Sequence, residues 1–199
     1  MKNIPAGSAP AARSSVTTRQ LVMAAMFAAL TLIATFVIRI QTPAFGYIHL
    51  GDVFVLLGGI VMGPVLGAAA AGLGSALADL FGGYAIFAPG TLVTKFLTAF
   101  VCALLYGKLK KRGKMSQTVS LILAGLVGEA IMVAGYFLYN TLIICLTGSG
   151  FTHASIASAL TLSVAEIPFN IVQGASGIIL SAVLAPVFIR AARVLHITA

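Results

Sequence analysis

Long apolar segments separated by short polar turns occupy the chain from residue 20 onward. Six segments stand out, at about 20–38, 52–62, 65–81, 91–106, 118–146 and 154–189. A membrane-crossing helix needs about 20 predominantly apolar residues, and the second segment with the residues just before it reaches only about 16. The pattern predicts an all-α integral membrane protein, a bundle of six transmembrane helices whose second helix is unusually short.

The composition supports a membrane protein. Hydrophobic residues make up 60% of the chain, charged residues 8%, and the mean hydropathy is +1.09. Soluble domains carry about 25% charged residues. We therefore predict one transmembrane domain at 20–195. Residues 1–19 are polar and rich in Ala, Ser and Pro, which predicts a disordered cytoplasmic tail. We do not expect a signal peptide, because the apolar run that follows is span-length and lacks a convincing cleavage site. Cys102 and Cys145 lie in apolar segments, as packing residues do.

The net charge of +8 follows the membrane topology. Basic residues lie at the ends of apolar segments, which is typical of the positive-inside rule rather than of nucleic-acid binding. If Arg13 and Arg19 are cytoplasmic, six crossings bring the basic block at 108–114, Arg190 and Arg193 to the same side. This predicts cytoplasmic N- and C-termini.

All four acidic residues lie in or at the edge of an apolar segment: Asp52, Asp79, Glu129 and Glu166. An intramembrane carboxylate costs roughly 2.5–3.5 kcal/mol on insertion scales. Each is therefore expected to face the bundle interior, a partner or a water-filled cavity.

Two segments carry polar stripes, because residues three or four apart share a helix face. They are Ser163, Glu166, Asn170 and Gln173 in the sixth segment, and Glu129, Met132, Tyr136 and Asn140 in the fifth. Most of these polar positions lie in the outer half of the predicted bundle, which predicts a cavity that opens outward. We interpret Glu166 and Asn170 as ligand contacts. Tyr136 and Asn140 fit either ligand contact or anchoring at the membrane interface.

The loop at 82–90, broken by Gly and Pro, separates Asp79 from Lys95. Both residues have a similar predicted depth, so we hypothesise an ion pair between them. A structural bridge and a ligand-binding pair are both open interpretations.

The predicted outer loops hold aromatic and polar residues, namely Tyr47, His49, Tyr84 and Phe87. Asp52 begins the second segment directly after the first of these loops. It fits the N-terminus of a helix, where a carboxylate satisfies free N–H groups and the helix dipole. It also fits a gate over the ligand, formed together with His49 and Tyr47.

Several function classes lack their sequence motifs. The chain contains no G-x-x-x-x-G-K-[ST] nucleotide-binding loop and no metal-ligand cluster. Ser75 has no intramembrane histidine partner, since His49, His153 and His196 lie outside or at the ends of segments. We expect no enzymatic activity, no metal and no cofactor in this chain.

Small residues on the first segment form a separate pattern. Ala24 with Ala28, and Ala25 with Ala29, have the small-xxx-small spacing that allows close helix approach in membranes. Packing within the bundle and docking onto another membrane subunit both fit this spacing. The denser run "GAAAAGLGSALAD" at 67–79 favours internal packing.

Four stretches carry a family resemblance: "IHLGD", "LLGGIVMGPVLGA", "GSALADL" and "GYAIFAPGTLVTK". Together they resemble the substrate-binding (S) component of energy-coupling factor (ECF) vitamin transporters, in the riboflavin-type and hydroxymethylpyrimidine/pyridoxine-type subgroup. The resemblance is strong over 20–112 and weak over 118–195.

The resemblance implies a multi-pass protein of the prokaryotic plasma membrane that captures a vitamin from outside. It would deliver the vitamin by toppling in the bilayer while bound to one membrane coupling subunit and two cytoplasmic ATPases, with ATP on those partners. The first-helix face of Ala24, Ala25, Ala28 and Ala29 would contact the coupling subunit.

We predict nine substrate-binding residues: His49, Asp52, Asp79, Tyr84, Lys95, Tyr136, Asn140, Glu166 and Asn170. A set of acids, amides, a lysine and aromatic rings suits a neutral or zwitterionic heterocycle. Pyridoxine or a hydroxymethylpyrimidine is favoured, followed by riboflavin. Two alternatives are a proton-coupled carrier that uses Glu129 or Glu166, and a membrane adaptor that binds no small molecule.

Overall fold

A computed structural model of the chain describes residues 16–42, 46–148 and 150–195. The elements are α1 (Thr18–Val37), β1 (Arg39–Gln41), β2 (Tyr47–His49), α2 (Asp52–Met62), α3 (Pro64–Phe81), α4 (Ala88–Lys111), α5 (Gln117–Thr147) and α6 (His153–Val194). Most of the predicted tail, and His196, lie outside the described residues. The tail was predicted to reach residue 19, but α1 begins at Thr18 because Thr17 and Gln20 form a capping box.

Five described helices are long and apolar enough to cross a membrane: α1, α3, α4, α5 and α6. Their outward faces carry exposed apolar side chains, such as Leu21, Val93 and Val183. In water such surfaces would be unfavourable, but lipid solvates them. The predicted all-α membrane architecture is therefore confirmed.

Helix α2 lies in the middle of this bundle and packs against α1, α3, α4 and α6. Its 11 residues span about 16 Å at 1.5 Å per residue, well short of the ~30 Å hydrocarbon core. Nine of those residues are buried. Because neighbouring helices surround α2, its apolar sequence stabilises the interior rather than a lipid-facing surface.

Glycines let the helices around α2 approach closely. A Cβ at Gly67 would lie 2.2 Å from the carbonyl oxygen of Gly58, and one at Gly74 would lie 2.3 Å from that of Ala28. Helix α1 therefore packs on α3 along the Ala28 side, and Ala24 is buried in the same interface. These contacts explain the dense small-residue run of α3.

This packing bears on the predicted docking face. Ala24 is buried, and Ala28 is half-buried against α3. Ala25 and Ala29 are exposed. Docking of a partner on α1 stays a prediction, with Ala25, Ala28 and Ala29 as the predicted residues that remain at the helix surface.

A Gly74→Ala variant should lower the free energy of unfolding by about 1–3 kcal/mol, because the new methyl group forces α1 away from α3. Gly107→Ala is the matched control. Gly107 lies inside α4, and nothing lies within 4 Å of the added Cβ. Because alanine has the higher helix propensity, this variant should raise the free energy of unfolding by about 0.5–1 kcal/mol. Unfolding in detergent measures both, and equal effects of the two variants would refute the close α1–α3 contact.

Two local features differ from the predicted loops. The predicted loop at 82–90 ends early, since α4 begins at Ala88 with Pro89 in its first turn, where proline needs no N–H partner. The first outer loop contains an antiparallel hairpin in which Arg39 pairs with His49 and Gln41 with Tyr47. This hairpin packs against α1 and α6 and holds Tyr47 and His49 over the bundle interior.

Candidate functional site

A small cavity of about 40 Å³ lies under the hairpin, at the end of the bundle where α2 begins. It is bounded by β2, the α3–α4 loop and the adjoining ends of α3, α4, α5 and α6. Its lining combines aromatic rings with amides and carboxylates: Gly46, Tyr47, His49, Asp79, Tyr84, Phe87, Thr91, Tyr136, Asn140, Glu166, Asn170 and Gln173. A concave site in which a few polar groups converge among aromatic rings is typical of small-molecule binding.

The structure brings seven of the nine predicted substrate-binding residues to this cavity: His49, Asp79, Tyr84, Tyr136, Asn140, Glu166 and Asn170. The polar stripes of α5 and α6 face each other across it. Tyr136 donates a hydrogen bond to Thr91 Oγ1 at 3.3 Å, which fixes its ring at the wall on the α4 side. Contact of these residues with a ligand stays a prediction.

The other two predicted residues, Asp52 and Lys95, lie beneath the cavity and bind each other. Both side chains are fully buried, and the Lys95 ammonium donates to Asp52 Oδ1 in a salt bridge. The expected Asp79–Lys95 ion pair is therefore wrong: α2 lies inside the bundle beside α4, so Lys95 reaches Asp52 instead. Lys95 Nζ also lies 5.2 Å from the centroid of the Tyr136 ring, which connects the pair to the cavity wall.

Gln173 joins this ion pair to the hairpin. Its Nε2 donates to Asp52 Oδ2 at 2.6 Å, and its Oε1 accepts from the backbone N–H of His49 at 3.1 Å. Sequence analysis placed Gln173 on the α6 polar stripe without assigning it to the site. The signal in the sequence was its spacing: Gln173 follows Asn170 by three residues and Glu166 by seven, which places all three on one helix face. Gln173 forms the floor of the cavity and positions the strand above it.

Asp52 therefore does more than begin a helix. It lies in the first turn of α2, which favours the helix dipole, but its two carboxylate oxygens accept from Lys95 and Gln173. The residue before it, Gly51, is the N-cap and supplies no side-chain bond. Asp52 keeps the predicted place at the helix N-terminus, but its side chain forms a buried bridge between α2, α4 and α6 rather than a cap or an exposed gate.

Asp79, which was predicted to pair with Lys95, binds Tyr47 instead. The Tyr47 hydroxyl donates to Asp79 Oδ1. Burial, followed by the negative charge of Asp79, raises the pKa of the Tyr47 phenol far above its usual value. The phenol thus stays protonated and remains a donor, so strand β2 is attached to the end of α3.

Arg39 attaches the hairpin to the α3–α4 loop. Its guanidinium lies 4.6 Å from the Tyr47 ring centroid and 5.5 Å from that of Tyr84, within the range of cation–π attraction. Its Nη1 donates to the carbonyl of Gly82 at 3.2 Å. The Tyr47 and Tyr84 rings are 4.8 Å apart. The cover of the cavity is therefore one connected aromatic layer.

The charge of the cavity favours a ligand that donates hydrogen bonds. Asp79 and Glu166 both line it, whereas the Lys95 ammonium below is already paired with Asp52. The carboxylate of Glu166 lies so close to the cover that a Cβ at Gly46 would be 3.0 Å from its Oε2. Within the described residues, no group of three His, Cys, Asp or Glu side chains could hold a metal ion.

His49 is neutral in this site. Its Nδ1 accepts from the backbone N–H of Gly51 at 3.0 Å. Burial, then the nearby Lys95 charge, lowers the pKa of the imidazole to about 3. Ligand binding should therefore not depend on protonation of His49 near neutral pH.

Because His49 in the unfolded chain titrates near pH 6.5, the unfolded state holds the extra proton between about pH 6.5 and 3. The contribution of His49 to the free energy of unfolding is therefore at its maximum above pH 6.5. It decreases as the pH is lowered, with a slope that approaches about 1.4 kcal/mol per pH unit. His49→Asn should flatten that slope in unfolding experiments at pH 4.5–7.5. Exposed His153→Asn is the control, and an equal slope in both variants would contradict the buried neutral imidazole.

Comparison with known protein families identifies the chain. The family model described as "ECF-type riboflavin transporter, S component" matches residues 15–190. The chain belongs to this family of ECF transporter S components. As an S component it is the substrate-binding subunit of a vitamin transporter, a multi-pass membrane protein whose partners are a vitamin and an energy-coupling module. The suspected family is thereby confirmed.

Two individual proteins are similar to this S component. An uncharacterized protein in a gap 3′ region of Pyrococcus woesei is 32% identical over 149 residues, which cover 74% of this chain and 86% of the relative. A solved structure reported under "Structure and mechanism of the S component of a bacterial ECF transporter" aligns with a TM-score of 0.61 at 22% identity. That alignment covers 89% of this chain and 97% of the solved one. The structural likeness establishes a shared fold.

Proposed function

We propose that this chain captures a small heterocyclic B vitamin or vitamin precursor from outside a prokaryotic cell. It delivers the vitamin inward together with a membrane coupling subunit and two cytoplasmic ATPases. The observation that carries this proposal is the covered, polar and aromatic cavity at the end of the bundle opposite most of the basic residues. The positive-inside rule places that basic end in the cytoplasm.

The proposed topology has six crossings and cytoplasmic termini. The short helix α2 forms the second crossing within the shelter of its neighbours, and the hairpin lies beyond its outer end. Arg19 donates to the carbonyl of Leu195 at 3.3 Å, so the first and last helices meet at the same end. This contact supports an even number of crossings.

The cavity favours a flat ligand that donates hydrogen bonds. The enclosed volume of about 40 Å³ does not select among the vitamins, so the first candidates, a single-ring pyridoxine or hydroxymethylpyrimidine, rest on the chemistry of the lining. The two lining carboxylates suit their hydroxyl or amino groups. Riboflavin is the second candidate, supported by the description of the family model.

The proposed division of labour leaves ATP hydrolysis on the partners and assigns no catalytic step or cofactor to this chain. Proteoliposomes test it directly. The chain alone should bind the vitamin without accumulating it, and accumulation should require the coupling subunit, the ATPases and ATP. A protonophore should leave ATP-driven uptake intact.

One observation favours a second candidate, the proton-coupled carrier. Glu129 is buried on α5, and within the described part of the chain neither of its carboxyl oxygens has a hydrogen-bond partner. Uptake by the chain alone that a protonophore abolishes would establish this carrier and overturn the ECF proposal. Glu129→Gln should then abolish uptake while vitamin binding persists.

A further inference from the structure

A second concave surface lies at the opposite end of the bundle from the vitamin cavity. It is a groove of about 840 Å³ between the start of α5 and the end of α6. Its lining includes Gln117, Thr118, Pro186, Val187, Arg190 and Arg193. We call it the basic groove. Neither the vitamin site nor the α1 docking face includes any of these residues.

The basic groove combines two cations with an apolar strip. Arg190 and Arg193 are three residues apart on α6, so they share one helix face, and both are exposed. One and two turns before them, Val187 and Val183 are 66% and 68% exposed. A guanidinium pair therefore lies beside a surface that only lipid solvates well.

The surroundings of the groove are strongly positive. Eight basic residues of the described chain lie at this end: Arg19, Lys108, Lys110, Lys111, Arg112, Lys114, Arg190 and Arg193. All four acidic residues lie elsewhere, in the vitamin cavity or the bundle interior. The groove arginines consequently have no carboxylate of the described chain to neutralise them.

We propose that the basic groove binds an anionic phospholipid, with the phosphate on Arg190 and Arg193 and an acyl chain along Val183 and Val187. Guanidinium groups bind phosphate oxygens through paired, charge-assisted hydrogen bonds. Basic pockets at the ends of transmembrane helices are a recurrent site for anionic headgroups. An acidic protein surface would satisfy the arginines, but it would leave the adjacent valines without their lipid contact.

Native mass spectrometry of the purified chain, titrated with phosphatidylglycerol or phosphatidylcholine, tests the proposal. Phosphatidylglycerol should bind at least tenfold more tightly than phosphatidylcholine. Arg190→Gln/Arg193→Gln should remove that preference. The matched control Lys110→Gln/Lys111→Gln removes the same charge from exposed positions of α4 and should change the affinity less than twofold.

Three results would overturn the proposal. The first is no preference of the parent chain for phosphatidylglycerol, and the second is an equal loss of lipid affinity in both double variants. The third is an arginine double variant that still binds the lipid but no longer assembles with the coupling module. The last would assign the groove to an acidic protein partner. If the glutamine variant does not fold, Arg190→Lys/Arg193→Lys replaces it. Lysines keep the charge without the paired geometry, so affinity should fall about threefold to tenfold, and an unchanged affinity would contradict the arginine-specific site.

Discussion

Replacing Lys95 by methionine should lower the free energy of unfolding by about 3–5 kcal/mol, the loss typical when one partner of a buried ion pair is removed. Lys95 and Asp52 are both fully buried, and the variant leaves the carboxylate with Gln173 as its remaining partner. Methionine retains most of the side-chain volume, so a cavity contributes little. Thermal and chemical unfolding in detergent micelles measure the effect.

Two controls isolate the ion pair. Lys110→Met removes an exposed lysine of the same helix and should change the free energy of unfolding by less than about 0.5 kcal/mol. The double variant Asp52→Asn/Lys95→Met removes both charges and should recover much of the loss. If Lys95→Met were as mild as Lys110→Met, or the double variant no better than the single one, the buried pair would not stabilise the bundle.

Glu166→Gln should weaken vitamin binding roughly 10- to 150-fold, because a hydrogen bond to a charged group contributes about 1.5–3 kcal/mol. Glutamine preserves the shape and removes the charge. Asn170→Ala should weaken binding about 5- to 10-fold, since it removes a neutral hydrogen-bonding group. Both residues line the cavity from α6. Isothermal titration calorimetry with the vitamin measures both changes.

The matched control for these variants is Ile171→Ala. Ile171 follows Asn170 on the same helix, but it points outward and is 55% exposed. Its truncation should leave the affinity unchanged. Melting temperatures of all three variants within a few degrees of the parent protein would show that the fold is intact. Loss of affinity in Ile171→Ala equal to that in Asn170→Ala would attribute the effect to α6 as a whole.

The helix positions could be predicted because each helix corresponds to a continuous apolar segment of the sequence. All six apolar segments match helices α1 to α6 within a few residues at most ends, and the short second segment coincides with α2. The hairpin was missed because its strands have three residues each, too few for an alternating pattern. The Pro and Gly in "IQTPAFGYIH" were the available turn signal.

The partner of Lys95 could not be predicted, for a geometric reason. Sequence gives the depth of a residue along its helix, and Asp79 and Lys95 have similar depths. It does not give the direction in which α4 presents Lys95, which depends on where α2 lies. Because α2 is nearly all apolar, its hydropathy shows no preferred face. Its central position follows from the close helix contacts at Gly67 and Gly59, where an added Cβ would meet backbone atoms.

The most direct test of the account is equilibrium binding of a vitamin panel to the purified chain, without partner subunits, by native mass spectrometry. We predict a 1:1 complex with one heterocyclic vitamin, with pyridoxine, hydroxymethylpyrimidine and riboflavin in the panel. The complex should be lost in Glu166→Gln/Asn170→Ala and kept in Ile171→Ala. A folded chain that binds no vitamin, or a double variant that binds as tightly as the parent, would contradict the assignment of the cavity under the hairpin as the vitamin site.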